Sequence, residues 1–438
     1  MSEQRIVVSP GGRLAGRMRV PGDKSISHRA VMLGAIAEGH TRVQGFLDGA
    51  DCLATRDAFR AMGVTIKQPD ATMLEIEGVG MQGLQAPPAA IDLGNSGTSM
   101  RLLAGLLAGQ SFDSELVGDA SLMRRPMLRV VEPLRGMGAR IDCAQEGRAP
   151  LRIYGGARLQ AVTYEMPVAS AQVKSCVLLA GLYADGETTV TEPGPSRDHT
   201  ERMLRAFGCA VHSESNRVSL RGGGRLLGGE VNVPGDLSSA AFALIGASLL
   251  PGSDLLIEGV GVNPTRAGIL EILRRMGADI SEHRRRDYGD EPVADLQVRT
   301  AQLRGIDIPP ELVPLAIDEF PAILVAAACA EGQTRLRGAA ELRVKESDRI
   351  AVMAEGLRRL GIAAEATEDG MLIEGGRPQG GEIDSHGDHR IAMAFAMAGM
   401  VAQSPVTIHD CANVATSFPG FVSLMQDHGA RMEGMVAA

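Results

Sequence analysis

The sequence predicts an α/β protein of six repeated units divided between two lobes. A helical segment that ends in glycine and is followed by a short strand-like run occurs six times, and a second helix-to-strand series alternates with it. The tetrapeptide VPGD occurs twice, at 20–23 and 233–236. Two helix-to-strand units in roughly 70 residues, repeated along the chain, are the pattern of a repeat architecture.

The first series is marked by its glycines. Glycine adopts the left-handed conformation that ends many helices, so each copy predicts a helix end followed by a strand. The segments are AFRAMGVTI, PLRGMGARI, MLRAFGCAV, ILRRMGADI, GLRRLGIAA and SLMQDHGARM, with Gly63, Gly138, Gly208, Gly277, Gly361 and Gly429. Their helices are amphipathic, because apolar residues recur with helical spacing on one side.

The helices of the second series are rich in Ala, Gly and Leu and are apolar on all sides, which predicts that neighbouring elements enclose them. Each leads through a turn into a strand-like run. The segments are AIAEGHTRVQGF, LLAGQSFDSELVG, LYADGETTVTEP, SLLPGSDLLIEG, CAEGQTRLRGA and MVAQSPVTIHD.

Six such units could form one solenoid or two globules of three, and the doubled VPGD favours two globules. One predicted lobe contains residues 1–20 and 233–438, the other contains 21–232, and the hinges lie near 20–23 and 233–236. The short N-terminal strand is expected to join the later half of the chain. A ligand cleft between the lobes is the usual consequence of such a division.

Composition excludes several classes of protein. The chain has 438 residues, a net charge of −9, 3% aromatic residues and no Trp, which argues against a general nucleic-acid or membrane surface. Its six scattered cysteines form no CxxC pair or zinc pattern, so no metal is predicted. No secretory signal is visible, and the long uncharged runs at 237–253 and 391–408 are broken by Gly, Ser or Pro.

Polar clusters begin the apolar helices at corresponding places in the repeat. They are VPGDKSISHR, LGNSGTSMR, VASAQVKS, GDLSSA, AIDEFP and GDHRIAM. Helix N-termini with free N–H groups attract anions, and nearby cations add to the attraction. The candidate cations are Lys24, Arg29, Arg125, Arg197, Lys345, Arg349 and Arg390. A single one would be read as a solvated surface charge, but their recurrence predicts a site for an anionic ligand.

Acid and base candidates occur in the same segments. Asp318 and Glu319 precede an apolar helix, where Asp318 could also be a plain N-cap, and Glu346 lies between Lys345 and Arg349. His389 is either a proton carrier or a structural histidine. GVGMQG at 78–83 matches a dinucleotide motif, but the proline pair that follows is incompatible with the required helix.

Taken together, VPGDKSISHRA, LGNSGTSMR, RRP, ASAQVKS, SRDHTERML, IDEFP, RVKESDR and GDHRIAMA resemble the EPSP synthase family of enolpyruvyl transferases over almost the whole chain. The resemblance implies a two-lobed inside-out α/β barrel of six βαβαββ units, three in each lobe. It also implies transfer of the enolpyruvyl group of phosphoenolpyruvate to the 5-hydroxyl of shikimate 3-phosphate, with release of phosphate, in the cytoplasm and without metal or organic cofactor. The chain is expected to be a monomer.

The resemblance also assigns residues. Asp318 would accept the 5-hydroxyl proton, Glu346 and Lys24 would move protons at the methylene carbon, and His389 joins them as a catalytic candidate. The expected ligands of shikimate 3-phosphate are Lys24, Ser25, Arg29, Ser170, Gln172, Arg197, Asp318 and Lys345. Those of phosphoenolpyruvate are Lys24, Gly97, Arg125, Gln172, Arg349 and Arg390.

Two positions matter for how this chain compares with its relatives. Gly97 lacks the methyl group that is associated with glyphosate tolerance in some relatives, so the resemblance predicts glyphosate sensitivity. Ala415 occupies the place of a lysine that many relatives carry.

Two alternatives remain at this stage. One is the same fold acting on a UDP-sugar, a family that typically has Lys-Asn where this chain has Lys24-Ser25 and a reactive cysteine that is absent from the MRRP region here. The other is a non-catalytic repeat scaffold, which would release no phosphate.

Overall fold

The computed structural model describes residues 4–436 and shows a mixed α/β fold, as the sequence predicts. The described chain forms two compact units. The first unit contains the chain up to Pro21, Pro234–Arg286 and the chain from Pro292 onward. The second unit contains Gly22–Val233 and Asp287–Glu291. The hinges predicted near 20–23 and 233–236 stay a prediction.

Two strands and the second unit account for the first half of the chain. The strands before Pro21 are β1 (Gln4–Gly12) and β2 (Ala15–Met18). The helices that follow are α1 (Lys24–Ile36), α2 (Ala50–Ala61), α3 (Gly97–Leu107), α4 (Leu128–Gly136), α5 (Ala171–Gly181) and α6 (His199–Ala206). The strands among them are β3 (Glu38–Gln44), β4 (Thr65–Asp70), β5 (Met73–Val79), β6 (Ile91–Asp92), β7 (Ser114–Val117), β8 (Arg140–Ala144), β9 (Arg148–Tyr154), β10 (Thr163–Glu165), β11 (Glu187–Thr191), β12 (Val211–Glu214), β13 (Arg217–Arg221) and β14 (Glu230–Asn232).

These twelve strands form three sheets with one shared pattern. The strand orders are β14-β3-β5-β4, β6-β7-β9-β8 and β10-β11-β13-β12. In each sheet the first pair is parallel and the other two pairs are antiparallel. A repeated pairing pattern is what a repeated sequence pattern predicts.

The second half of the chain continues with helices α7 (Leu237–Leu249), α8 (Gly268–Arg275), α9 (Phe320–Ala328), α10 (Arg349–Arg359), α11 (His389–Val401) and α12 (Phe421–Asp427). Its strands are β15 (Asp254–Gly261), β16 (Asp279–Tyr288), β17 (Glu291–Arg299), β18 (Gln333–Leu336), β19 (Ala363–Ala366), β20 (Met371–Glu374), β21 (Gly381–Asp384), β22 (Val406–His409) and β23 (Ala430–Val436).

The N-terminal strands pair with strands from this later half, as the sequence predicts. The sheet orders are β16-β17-β15-β2, β18-β20-β19 and β21-β22-β1-β23. Ile6 of β1 lies opposite Ile408 of β22 in an antiparallel register, and β2 runs parallel to β15. The start of the chain is therefore an integral part of the first unit.

The six predicted helix-ending glycines all have positive φ. The values are 87° at Gly63, 93° at Gly138, 85° at Gly208, 97° at Gly277, 79° at Gly361 and 106° at Gly429. Each follows the C-terminus of an amphipathic helix and precedes a strand. The prediction of six helix ends is confirmed at these positions.

The small apolar helices α1, α3, α5, α7, α9 and α11 lie in the two hydrophobic cores, one for each unit. Small residues allow these helices to approach closely: a Cβ on Gly105 of α3 would overlap the carbonyl oxygen of Cys176 in α5. Each fully buried leucine-sized side chain contributes about 1.5–3 kcal/mol to folding. Each core therefore holds the N-termini of its own three helices in fixed positions within its unit.

Among residues 4–436, no helix is both long and apolar enough to span a membrane. The same residues contain no group of three or more His, Cys, Asp and Glu side chains that could hold a metal ion.

Candidate functional site

The polar segments predicted to begin the apolar helices do so. Lys24 begins α1, Gly97 begins α3 and Ala171 begins α5 in the second unit. Leu237 begins α7, Phe320 begins α9 and His389 begins α11 in the first unit.

The structure differs from the sequence prediction in how the helix N–H groups are used. Five of these six helices have a capping side chain that accepts a backbone hydrogen bond within the first turn, and only α9 lacks one. The caps are Asp23, Ser96, Ser170, Asp236 and Asp388. Three of these caps are carboxylates, so they are anions that already accept hydrogen bonds from the helix N-termini. Some of the N–H groups that were predicted to be free for an anionic ligand are therefore bound within the protein.

A chain of hydrogen bonds joins α1 to α3 through α2. His28 Nδ1 lies 2.8 Å from Thr55 Oγ1, and Thr55 Oγ1 lies 2.6 Å from Ser99 Oγ. Ser99 Oγ lies 2.6 Å from the capping hydroxyl of Ser96. All four side chains are buried, so this chain fixes the start of α3 relative to α1.

Arg29 joins α1 to α5 and α6. Its Nε donates to Thr200 Oγ1 at 2.7 Å, Nη2 donates to Ser175 Oγ at 2.8 Å and Nη1 donates to the Ser25 carbonyl at 2.9 Å. Burial is the main reason that its pKa is lowered to about 10, and the charge of Arg197 acts in the same direction. Arg197 is therefore close enough to Arg29 for their charges to interact.

The start of α3 is joined to α5 by Gln172. Arg101 Nη1 donates to Gln172 Oε1 at 2.6 Å, and Gln172 Nε2 donates to Thr98 Oγ1 at 3.0 Å. Arg125 lies beside the same helix start: a Cβ on Gly97 would be 3.1 Å from Arg125 Nη1 and 3.2 Å from Arg101 Nη1. A glycine at position 97 leaves room for these two guanidinium groups.

Lys24 forms an ion pair with Asp51, and 19% of its side chain is exposed. Eight predicted residues belong to the second unit, and we call them the α1-α3-α5 cluster: Lys24, Ser25, Arg29, Gly97, Arg125, Ser170, Gln172 and Arg197.

Sequence reasoning missed a buried ion-pair group that joins α5 and α6. Lys174 Nζ lies 2.6 Å from Glu192 Oε1 and 2.7 Å from Glu201 Oε1, and the Glu192 carboxylate also accepts a hydrogen bond from Ser196. Burial opposes the charge of Lys174, but Glu201 and Glu192 outweigh it and raise its pKa. A lysine in the otherwise apolar segment QVKSCVLLAG was the available signal.

The first unit gathers a second group of predicted residues. Lys345 Nζ lies 3.3 Å from Asp318 Oδ1, and Arg349 Nη1 lies 3.6 Å from the same oxygen. Arg349 Nη2 donates to Glu346 Oε2 at 2.6 Å. Arg390 Nη1 donates to the Asp318 carbonyl at 3.0 Å. Together with Asp388, these residues form the α9-α11 cluster: Asp318, Lys345, Glu346, Arg349, Asp388 and Arg390.

Arg349 is the centre of this cluster, with 1% of its side chain exposed. Its Nε donates to Asp388 Oδ2 at 2.8 Å. Burial alone would raise the pKa of Asp388, but the charge and hydrogen bonds of Arg349 outweigh burial and lower it. Conversely, burial would lower the pKa of Arg349, and the charges of Asp388 and Glu346 raise it above its ordinary value.

His389 and the neighbourhood of Ala415 lie at the start of α11. His389 is 6% exposed, and its Nε2 lies 3.2 Å from Ser417 Oγ. Ala415 is exposed in a short 3-10 helix, Ala412–Thr416. Asn413 in that helix donates to the Gly387 carbonyl at 2.7 Å.

The burial of His28 leads to a first testable prediction. Burial lowers its pKa well below 6.5, and the charges of Lys24 and Arg29 act in the same direction. On acidification the unfolded chain therefore binds a proton that the folded protein does not, so the free energy of unfolding falls as pH drops, by up to about 1.4 kcal/mol per pH unit. We expect His28→Asn to make the decrease in Tm between about pH 7 and about pH 5 shallower.

The matched control is His212→Asn, because His212 is exposed on β12. This control should keep the wild-type dependence of Tm on pH. Equal slopes for His28→Asn and the wild type would contradict the assignment of His28 as a buried neutral histidine.

Comparison with known proteins gives one consistent family. The family model described as EPSP synthase (3-phosphoshikimate 1-carboxyvinyltransferase) matches residues 8–425. A 3-phosphoshikimate 1-carboxyvinyltransferase of Alkalilimnicola ehrlichii is 64% identical over 97% of this chain and 96% of its own length. One of Methylococcus capsulatus is 63% identical over 97% of both chains. A solved structure of EPSP synthase from Acinetobacter baumannii is 55% identical, covers 99% of this chain and 100% of its own, and has a TM-score of 0.89.

Proposed function

The chain belongs to the EPSP synthase family, and on that premise we propose that the α1-α3-α5 and α9-α11 clusters carry out its reaction. The enzyme transfers the enolpyruvyl group of phosphoenolpyruvate to the 5-hydroxyl of shikimate 3-phosphate. The products are 5-enolpyruvylshikimate 3-phosphate and inorganic phosphate. The observation that carries the residue assignment is the α9-α11 cluster, in which three cations and three carboxylates from separate segments meet at three helix starts.

Addition and elimination each need a proton to move. In the addition, the methylene carbon of phosphoenolpyruvate gains a proton and the 5-hydroxyl oxygen attacks C2 while losing its own proton. In the elimination, the new methyl group loses a proton and the C2–O bond to phosphate breaks. The protein must therefore supply a proton acceptor for the hydroxyl, a group that exchanges protons with carbon, and cations for two polyanions.

We assign the hydroxyl proton to Asp318. Its side chain is 15% exposed, so substrate can reach it, and Lys345 and Arg349 lie within 4 Å of Oδ1. Neighbouring cations favour the ionised carboxylate, which is the form that accepts a proton. Lys345 would in addition bind shikimate 3-phosphate beside Asp318.

Glu346 and Lys24 are our candidates for proton exchange at the methylene carbon. Glu346 is 24% exposed and forms an ion pair with Arg349 Nη2, while Lys24 is 19% exposed beside Asp51. His389 is a weaker candidate because it is buried and lies within hydrogen-bond distance of Ser417. We therefore favour a structural role for His389 at the start of α11.

Phosphoenolpyruvate binding is assigned to Arg349 and Arg390 in the first unit and to Lys24, Gly97, Arg125 and Gln172 in the second. Arg349 Nη1 makes no hydrogen bond to any described residue, although it lies 3.6 Å from Asp318 Oδ1. Position 97 supports the assignment of Arg125, because a methyl group there would crowd its guanidinium group. The predicted glyphosate sensitivity depends on the same absence of a methyl group at Gly97.

Shikimate 3-phosphate is assigned to Lys24, Ser25, Arg29, Ser170, Gln172 and Arg197, together with Asp318 and Lys345. The hydrogen bonds of Gln172 to α3 support contact with both substrates, since its amide lies where α3 and α5 begin. Arg29 already donates three hydrogen bonds within the protein. We assign it chiefly the support of Ser25, whose carbonyl accepts one of these hydrogen bonds.

The finer architecture is part of the same proposal. We propose an inside-out barrel of two lobes, each with three βαβαββ units, that closes on the substrates in the cytoplasm as a monomer. The repeated strand order within the sheets of the second unit supports the repeat.

A phosphate-release assay tests the function. Phosphoenolpyruvate with shikimate 3-phosphate should yield one phosphate per product, and UDP-N-acetylglucosamine in place of shikimate 3-phosphate should yield none. Phosphate release with the UDP-sugar as acceptor, and not with shikimate 3-phosphate, would favour the related cell-wall reaction. If no phosphate is released with either acceptor, a non-catalytic scaffold would be favoured.

A further inference from the structure

Glu319 is a buried carboxylate that the proposed chemistry does not use. It directly precedes α9 and follows Asp318, yet its side chain is 0% exposed. An acid–base role, which the sequence alone allowed, requires contact with the reacting atoms. Its burial favours an action through a neighbouring side chain instead.

The neighbours of Glu319 come from three other segments. Its Oε1 accepts a hydrogen bond from Ser238 Oγ in the first turn of α7. The same oxygen lies 3.8 Å from Arg390 Nη1 and 4.0 Å from Arg266 Nη2. One buried carboxylate thus connects the starts of α7, α9 and α11.

Arg266 has its own partners in this network. Its Nη2 donates to Asp236 Oδ1 at 2.6 Å and to Ser238 Oγ at 2.5 Å, and its side chain is 4% exposed. Because Asp236 already balances Arg266, the charge of Glu319 is available to Arg390.

We infer that Glu319 is a positioning residue for phosphoenolpyruvate, because its carboxylate and the Asp318 carbonyl hold the Arg390 guanidinium group in its binding orientation. This inference rests on the proposed role of Arg390. The Asp318 carbonyl accepts a hydrogen bond from Arg390 Nη1, and the Glu319 carboxylate lies 3.8 Å from the same nitrogen. Because Asp318 and Glu319 are consecutive, these two contacts fix Arg390 relative to the proposed proton acceptor Asp318. A cation held in advance binds an anion without first losing side-chain freedom.

Glu319→Gln is the direct test, since it keeps an acceptor for Ser238 and removes the charge. We expect the KM for phosphoenolpyruvate to rise about tenfold, which corresponds to the loss of one charge-assisted contact. The kcat should stay within about threefold, and the KM for shikimate 3-phosphate within about twofold. A lower Tm with an unchanged KM for phosphoenolpyruvate would overturn the inference and leave Glu319 a structural residue.

Ser238→Ala is a second variant that removes one hydrogen bond to Glu319 and leaves every charge in place. It should raise the same KM by a smaller factor, about threefold. The matched control is Asp295→Asn, because Asp295 is a buried carboxylate of the first unit that pairs with Arg286 at 3.1 Å instead. This control should leave the KM for phosphoenolpyruvate unchanged.

A double-mutant cycle separates positioning from general damage. If Glu319 acts through Arg390, Glu319→Gln should have little further effect on phosphoenolpyruvate binding in an Arg390→Met background. Fully additive effects would refute the link. The increase in Tm caused by phosphoenolpyruvate in the absence of shikimate 3-phosphate gives the same comparison without turnover. An inactive wild type would refute the proposed function, whereas this binding comparison would still decide the role of Glu319.

Discussion

Asp318→Asn should reduce kcat on the order of 10²- to 10⁴-fold, with small changes in the KM of either substrate. The amide has nearly the same shape but does not accept the hydroxyl proton. The fold should remain intact, because Arg349 keeps its ion pairs with Asp388 and Glu346 when the charge of Asp318 is removed. Steady-state phosphate release and thermal unfolding measure the two effects.

The matched control for this prediction is Asp307→Asn. Asp307 also belongs to the first unit, but its side chain is 76% exposed and lies 3.9 Å from Arg335. Its replacement should leave kcat within about twofold, since exposed ion pairs contribute little. If Asp318→Asn kept kcat within about threefold of the wild type, the hydroxyl proton would have to be assigned to another group.

The features of the fold that could be predicted are those set by the backbone preferences of short segments. The helix ends at Gly63 or Gly361 follow from a residue that adopts positive φ without strain, and the structure has positive φ at both. The position of the two VPGD segments predicted that the N-terminal strand joins the later half of the chain, and β1 pairs there with β22. These features depend on short segments and on their repetition along the chain.

The charged residues of the candidate site could be named from the sequence, but their pairings could not. Lys345, Glu346 and Arg349 are visible as a charged motif, but their distances from Asp318 depend on how α9 and α10 pack. Arg266 was missed because an arginine beside a helix usually faces water, whereas here Asp236 holds it in the core. Long-range pairing of buried charges is therefore the part that required the structure.

The α1-α3-α5 and α9-α11 clusters share one structural rule. Each uses side chains near a helix start to fix a neighbouring helix, as Gln172 does for α3 and α5 and as Arg390 does for α9 and α11. Binding residues and supporting residues therefore overlap, so a substitution that removes a buried partner within either cluster is expected to change substrate affinity and stability together.

Arg349→Met should give the largest loss of stability. The change leaves Asp388, whose side chain is 0% exposed, without the cation that balances it. Removal of one partner of a buried ion pair costs about 3–5 kcal/mol. Urea denaturation at neutral pH should show this decrease in the free energy of unfolding, and phosphate release should be lost as well. Arg359→Met, which removes a half-exposed cation paired with Glu355, should cost less than about 1 kcal/mol.

The pH dependence of the stability lost in Arg349→Met identifies the cause of the loss. In the wild type, Arg349 lowers the pKa of Asp388. The ionised Asp388 carboxylate therefore stabilises the fold above the carboxyl pKa of the unfolded chain. This stabilisation is lost as pH falls through the pKa of Asp388 in the folded protein. Without Arg349, burial should raise the pKa of Asp388, so the folded variant takes up a proton before the unfolded chain does and recovers stability on acidification. The difference in the free energy of unfolding between variant and wild type should therefore become smaller as pH decreases from neutral. A deficit that stays constant with pH would mean that lost packing, and not an unbalanced carboxylate, is responsible.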